Sequence, residues 1–407
     1  MHPKTRDLFI PSSGRKVVQI VLDGLGGLPH RETGATELDT AKTPNLDRLA
    51  SRASLGRMQP IEAGVTPGSG PAHLALWGYH PYEVEFGRGA LEALGSDFDL
   101  MSGDLAARAN FATVDAKGVV RDRRAGRPPD AENVRLCGRL RAALERSKRG
   151  ALRDVEVFLL PGKEHRFTVV FRGEGLDPSL NDNDPQREGL AMLDIVARDP
   201  AAARSARVVD EFLTLLRATL ADEKVASGAL LRGFSGLPRI TPFDELYAAS
   251  AGAIAAYPMY RGVARLAGMK VLGTPKNLDE EVALLECAWA QHDFFFLHYK
   301  DTDSAGHSGD FDEKVRAIEA FDAVVPRIIA LRPEVVIVTG DHSTPCIHEE
   351  HTWHPVPTMI WSPLALYRSD ARLTERDCLN GDLGTFPATH LVTLALAHAA
   401  RMKKFGA

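Results

Sequence analysis

No apolar run in this 407-residue chain approaches the roughly 18 residues that an α-helix needs to cross a bilayer; the longest are strand-sized. The first eleven residues, M-H-P-K-T-R-D-L-F-I-P, also read without the apolar core of a secretory signal. Cysteine is scarce. The four residues Cys137, Cys287, Cys346 and Cys378 are widely spaced and form no C-x-x-C pair, which argues against a disulfide framework and fits a reduced cytoplasm. Only Cys346 lies near the segments singled out below. Basic excess is absent too: 49 Lys and Arg stand against 54 Asp and Glu, for a net charge of −5. Nothing global points to nucleic acid or an anionic membrane, and an anionic small molecule would need a local basic pocket. Heptads, fixed-period repeats and low-complexity linkers are missing as well.

At 44% hydrophobic and 25% charged residues the composition is that of a soluble globular protein, and the length suggests two domains. Strand-like runs at Lys16–Leu22, Phe294–Tyr299 and Val335–Thr339 alternate with helical patterns at Thr43–Ala53 and Phe311–Val325. In the first helix, Thr43 is placed to cap and Pro44 to open the first turn. Such alternation predicts an α/β fold with a doubly wound, mostly parallel sheet. The middle differs. From roughly 85 to 274 come β-rich pieces at Val155–Leu160 and Phe167–Arg172, then a helical stretch at Ala203–Leu220. The expectation is a discontinuous catalytic domain, 1–84 with 275–407, interrupted by a smaller α+β domain at 85–274. A site in the cleft of a two-lobed enzyme would follow.

Three short segments carry the chemistry. Asp23 ends the run K-V-V-Q-I-V-L-D-G; Asp303 and His307 lie in D-T-D-S-A-G-H just after F-F-F-L-H-Y; Asp341 and His342 end V-V-I-V-T-G-D-H, with His351 close behind. Asp303 and His307 are four apart and share a face if the segment is helical. Carboxylates and imidazoles at several strand C-termini point to a divalent-metal site along one edge of a parallel sheet. Such ligation suits manganese, zinc, cobalt or magnesium without choosing among them. Ser69, in T-P-G-S-G-P-A-H-L-A-L-W, is the nucleophile candidate. Pro71 suits the first turn of a helix through Ala72–Leu76, so Ser69 sits at a helix N-terminus, where exposed amides favour phosphate. The plainer alternative makes Ser69 only a cap. His73, four residues on, either supports this loop or lies on a helix face.

With those residues the chain resembles the archaeal-type branch of the cofactor-independent (2,3-bisphosphoglycerate-independent) phosphoglycerate mutases, in the alkaline phosphatase superfamily. The likeness runs nearly the full length, through L-D-G-L-G-G, T-P-N-L-D-R-L-A, P-G-S-G-P-A-H-L-A-L-W-G-Y-H-P-Y, D-R-R-A-G-R, D-N-D-P, K-D-T-D-S-A-G-H-S-G-D and T-G-D-H-S-T-P. It implies an alkaline-phosphatase-like fold and two divalent metal ions, manganese first among the candidates. By motif position Asp303, His307 and His351 would hold one ion, with His348 and His354 as rivals for the last place. Asp23, Ser69, Asp341 and His342 would hold the other, with Ser69 as nucleophile. One departure stands out: Gly70-Pro71 follow Ser69 where relatives usually carry an Asp and its neighbour.

A phosphorylated three-carbon acid carries about three negative charges, which arginine forks match well. Candidate substrate residues are Asp122, Arg123, Arg124 and Arg127 of D-R-R-A-G-R, His165, Arg166, Asp184, Arg261, Arg265 and Lys300. Of these, Asp122 and Asp184 are candidates to orient the glycerate hydroxyl or transfer protons, and Lys300 to neutralise phosphoryl charge. The implied activity is isomerisation of 3-phosphoglycerate and 2-phosphoglycerate through a phosphoserine intermediate, by a cytoplasmic enzyme whose oligomeric state, monomer or homo-oligomer, is left open. The alternative kept open by Gly70-Pro71 is a metal-dependent phosphohydrolase, or a mutase acting on another phospho- or phosphonate acid. A second alternative is a non-catalytic, metal-stabilised binding protein.

Overall fold

The apolar runs that lead into Asp23, Lys300 and Gly340 are three neighbouring parallel strands at the centre of one sheet. The computed structural model describes residues 3–11, 14–84, 87–147 and 150–406. In chain order the strands are β1 (Val17–Leu22), β2 (Ala53–Gln59), β3 (Leu105–Val114), β4 (Val120–Asp122), β5 (Glu156–Pro161), β6 (Arg166–Arg172) and β7 (Gly228–Ser235). They continue with β8 (Ala251–Ala255), β9 (Lys270–Val271), β10 (Phe294–Tyr299), β11 (Val335–Thr339), β12 (Val356–Trp361) and β13 (Gly384–Pro387). The helices that bear on the site are α1 (Pro44–Ala50), α2 (Ser69–Leu76), α3 (Arg88–Gly95), α4 (Asp130–Arg146) and α5 (Ala203–Thr219). After them come α6 (Pro258–Leu266), α7 (Leu278–Ala288), α8 (Asp301–Ser308) and α9 (Phe311–Ala330).

The chain divides into two units, Met1–Val84 with Ile240–Ala407, and Glu85–Arg239. The larger holds an eight-stranded sheet in the order β13-β2-β12-β11-β1-β10-β8-β9. Its pairings are parallel except β11–β12 and β12–β2. Strands β1, β10 and β11 are buried along their whole length. That is why they read as unbroken apolar runs rather than alternating ones.

Three expectations need correction. The insert was carried to residue 274, but residues 240–274 belong to the larger unit: β8 is the parallel neighbour of β10, and β9 pairs with β8. The short run A-G-A-I-A is an interior strand, between β10 and β9, made of small residues, and its composition does not announce it. Thr43 occupies the cap position of α1 yet makes no capping hydrogen bond; its hydroxyl reaches Asp47 at 3.4 Å. Asp322 of α9 caps the helix instead, accepting from the amides of Asn45 (3.1 Å) and Leu46 (2.7 Å). The helix also stops at Ala50, since Ala53 already begins β2.

The smaller unit is α+β. Its antiparallel sheet runs β4-β3-β6-β5, with β7 also on β3. On β3, Leu105, Ala107, Ala109 and Phe111 face a core shared with α4 and α5, through Leu136, Leu140, Val208 and Phe212. The alternate residues, Ala106, Arg108, Asn110 and Ala112, lie on the other face.

Candidate active site

In the larger unit, β10, β1 and β11 are adjacent, and their register pairs Leu22 with Tyr299 and Val21 with Thr339. The residues that follow each strand (Asp23; Lys300 to Asp303; Gly340 to His342) are thereby delivered side by side at one sheet edge, where open α/β sheets bind ligands. Local chemistry then locks the loops. Gly24 has φ +63°, and a Cβ there would sit 2.5 Å from Thr344 Oγ1 and 2.8 Å from Asp303 Oδ1. Only glycine allows that turn with that approach. Lys314 of α9 is fully buried and donates to the carbonyls of Gly24 (2.9 Å), Gly26 (3.2 Å) and Thr344 (2.8 Å). It ties the β1 loop to the β11 loop. Thr302 Oγ1 donates to Asp23 O at 2.6 Å.

Two groups of metal-type ligands result, Asp23 with Asp341 and His342, and Asp303 with His342 and His351, each with its ligand atoms within 4.8 Å of one another. His342 stands between them. Thr344 Oγ1 donates to Asp303 Oδ1 at 2.8 Å, so it accepts from His342 Nδ1 at 3.0 Å, leaving His342 Nε2 as the nitrogen that faces the carboxylates and can bind a cation once neutral. That Nε2 lies 3.1 Å from Asp341 Oδ2 and 3.3 Å from Asp23 Oδ1. His351 Nδ1 is held by Pro67 O at 2.9 Å and His307 Nδ1 by Glu349 O at 2.8 Å. Carbonyls accept only, so Nδ1 carries a proton in both rings and Nε2 is the nitrogen left to face the site, at 3.8 and 3.5 Å from Asp303 Oδ1. Imidazoles with one nitrogen anchored to a carbonyl and the other bare are the usual form of a metal ligand. With Nδ1 engaged, His342 can serve only the Asp23–Asp341 side. His307, half-exposed at the rim, enters neither group, yet its Nε2 lies 3.5 Å from Asp303 Oδ1, which makes it the third candidate donor beside Asp303 and His351. Asp23 Oδ1 and Asp341 Oδ2 are buried and accept no hydrogen bond, a costly state for carboxylates unless a cation completes it. The donor set thus fits divalent ions. His348 and His354, the rival candidates, do not enter either group among the described residues.

Ser69 opens α2, with Gly68 at the cap, and its Oγ lies 3.2 Å from His342 Nε2. His73, fully buried one turn later, holds Ser69 O through Nδ1 at 2.8 Å and approaches Asp341 Oδ2 at 3.4 Å. It lies on a face of α2, and from there it anchors the main chain at Ser69. Burial pushes its pKa down to about 4, so the ring is neutral at pH 7.

The field of the site is strongly organised. Burial alone would raise Asp23, but the His298 hydrogen bond and the charges of Lys300 and His342 hold it well below the usual carboxylate range. Burial opposes the charge on Lys300, yet Asp23 and Asp303 raise its pKa; Nζ donates to them at 2.9 and 2.6 Å. Burial likewise disfavours charged His342, and Asp341 and Asp23 overcome it, raising its pKa. Cys346 is buried and pushed up to about 12, first by burial, so it is no thiolate nucleophile.

The expected substrate residues divide between the units. Arg261 and Arg265 are on α6 of the larger unit, outside the insert where they were sought. Arg261 is buried, with Nη1 donating to Ala255 O at 3.0 Å and Ala256 O at 2.5 Å, the end of β8. In the smaller unit, Asp122 spends its carboxylate on the turn it opens, accepting from the amides of Arg124 and Gly126, both at 2.7 Å. Arg123 forms a two-pronged pair with buried Asp184 at 3.1 and 2.6 Å. His165 is buried, its pKa lowered by burial and by Arg166. Sequence reading missed three further arginines. Arg108 and Arg232 face each other across β3 and β7, and Arg88 of α3 and Arg166 of β6 lie within electrostatic reach of Arg108. Arg108 Nε, Arg232 Nε and Asn110 Oδ1 are buried without hydrogen-bond partners, and Arg108 is driven down to about 10 by burial. Like charges opposed across a sheet destabilise it; Glu92 Oε1, 3.2 Å from Arg108 Nη1, offsets part of that charge.

The family model of 2,3-bisphosphoglycerate-independent phosphoglycerate mutase matches residues 50–226. The chain is 47% identical over 395 residues to a probable 2,3-bisphosphoglycerate-independent phosphoglycerate mutase of Thermus thermophilus, covering 96% of each chain. The correspondingly described protein of Thermotoga maritima is 45% identical over 392 residues, again with 96% of each covered. A solved cofactor-independent phosphoglycerate mutase from Thermoplasma acidophilum superposes with a TM-score of 0.76 at 28% identity, covering 95% of this chain and all of that one.

Proposed function

Since the chain belongs to the 2,3-bisphosphoglycerate-independent phosphoglycerate mutase family, we propose that it interconverts 3-phosphoglycerate and 2-phosphoglycerate through a phosphorylated Ser69. The observation that carries this reading is the position of Ser69 Oγ, 3.2 Å from His342 Nε2 at the start of α2, beside buried oxygens of Asp23 and Asp341 that no donor satisfies. We assign Asp303, His307 and His351 to one divalent ion and Asp23, Ser69, Asp341 and His342 to the other, with manganese the first candidate. When bound, such ions lower the pKa of a coordinated hydroxyl and offset phosphoryl charge.

The residues then have defined tasks. Ser69 Oγ attacks phosphorus, the O–P bond to the glycerate breaks, and the alkoxide released takes up a proton. His73 holds the main chain of Ser69, so attack comes from a fixed serine. Amides at the start of α2 and the ammonium of Lys300 favour the charge on the transferring oxygens. In the return step the other hydroxyl gives up its proton and attacks phosphorus, the Ser69 Oγ–P bond breaks, and Ser69 Oγ takes up a proton. In the smaller unit, the arginine face of β3, β6 and β7, with Arg123 locked by Asp184, is proposed as the seat for the substrate's anionic groups.

Trapping is the test. Protein mixed with 3-phosphoglycerate carrying labelled phosphorus, quenched in acid and digested, should yield a labelled peptide containing Ser69. Ser69→Ala should lose the label and roughly 10³-fold or more in isomer formation. Full activity in that variant would contradict the assignment.

A further inference from the structure

Tyr260 has no place in the sequence reading, yet its hydroxyl meets three groups of the site. The residue lies on α6 and is 1% exposed. Its hydroxyl donates to Asp23 Oδ2 and accepts from Lys300 Nζ at 3.3 Å, and the Ser69 side chain is near enough to the same oxygen to oppose the rise in its pKa that burial and the carboxylates cause. The ring is itself fixed. It stacks on His298 of β10 with centroids 3.8 Å apart and planes 28° apart, and it packs against His73 at 4.6 Å. His298 is fully buried, and its Nε2 is 3.2 Å from Asp23 Oδ2, the oxygen that Tyr260 also addresses.

A serine Oγ can take any of three staggered χ1 wells unless contacts select one. Here His342 Nε2 at 3.2 Å is one such contact; Gly70 offers no side chain, and His73 holds the serine's carbonyl rather than its hydroxyl. We infer that Tyr260 is a positioning residue: its phenol, seated on the His298 ring, holds the Ser69 hydroxyl and the Asp23 carboxylate in a fixed relation. The inference rests on the reading of Ser69 as nucleophile and Asp23 as a metal ligand. It accounts for a fully buried histidine spent as a platform under a tyrosine, which a packing role alone would fill with an apolar ring.

Tyr260→Phe tests it, because the ring and its stacking remain and only the oxygen goes. Two readouts apply: manganese titration by calorimetry with no substrate present, and steady-state kinetics with 3-phosphoglycerate. The inference predicts manganese affinity and kcat each lower by roughly 10–100-fold, with KM within about threefold of wild type. Manganese affinity and kcat both within about twofold of wild type would overturn it, as would a raised KM with unchanged kcat, which would make Tyr260 a substrate contact. If the wild-type chain forms no isomer but Tyr260→Phe still weakens manganese binding, the mutase reading fails and the positioning role stands.

Discussion

The ring of His342 stacks on that of His351, with centroids 3.6 Å apart and planes 23° apart. The two imidazoles titrate in opposite senses: Asp341 and Asp23 raise His342 against its burial, while burial and the His342 charge lower His351. A proton therefore sits on His342 at a higher pH than the ordinary histidine value of 6.5. A metal ion must displace that proton, so manganese affinity should fall as pH drops through this range, by up to about tenfold per unit. Calorimetric titrations in buffers of different ionisation enthalpy should reveal close to one proton released. Affinity independent of pH between about 6 and 8 would contradict the assignment of His342.

The arginine face of the smaller unit should show a trade between stability and binding. Arg232→Met removes one of two opposed charges and should stabilise the substrate-free protein by about 0.5 kcal/mol in urea unfolding. The same change should raise KM for 3-phosphoglycerate by about tenfold or more, since a charged partner is lost. Destabilisation together with an unchanged KM would mean the face is structural.

Glu375 offers a pH test away from the metal ligands. It is partly buried, accepting from Gly27 N at 2.9 Å and Thr36 Oγ1 at 2.6 Å, and burial of the carboxyl pushes it up to about 7. The folded chain thus holds a proton that the unfolded chain releases near 4.5, and stability should be lost as pH rises from about 4.5 to 7. The contribution is on the order of 3 kcal/mol. In Glu375→Gln that part of the slope should vanish from the thermal midpoint measured across this range.

Asp322 caps α1 from a helix more than 270 residues away in sequence. Asp322→Ala leaves two helix amides and the Asn45 side chain without their acceptor and should cost about 2–3 kcal/mol in urea unfolding. A loss below about 0.5 kcal/mol would show that water replaces it.

Much of this was legible in the sequence where the signal is local. Buried parallel strands read as apolar runs, so β1, β10 and β11 and the ligands behind them stand out, and Pro71 marks the start of α2. What stayed hidden depends on register or tertiary burial. Arg108 and Arg232 each look like one charge in a strand until β3 and β7 align them. Lys314 and Asp322 look like solvent-facing charges of α9, yet both are buried partners of distant loops. Strand β8 hides because alanine and glycine carry little strand signal, and with it went the boundary of the insert.

The most direct measurement supplies manganese-loaded protein with 3-phosphoglycerate, using enolase to report 2-phosphoglycerate and a parallel assay for free phosphate. The account predicts isomer without phosphate release, abolished by chelator and by Ser69→Ala. Stoichiometric phosphate release with no isomer would contradict it and make the chain a phosphohydrolase.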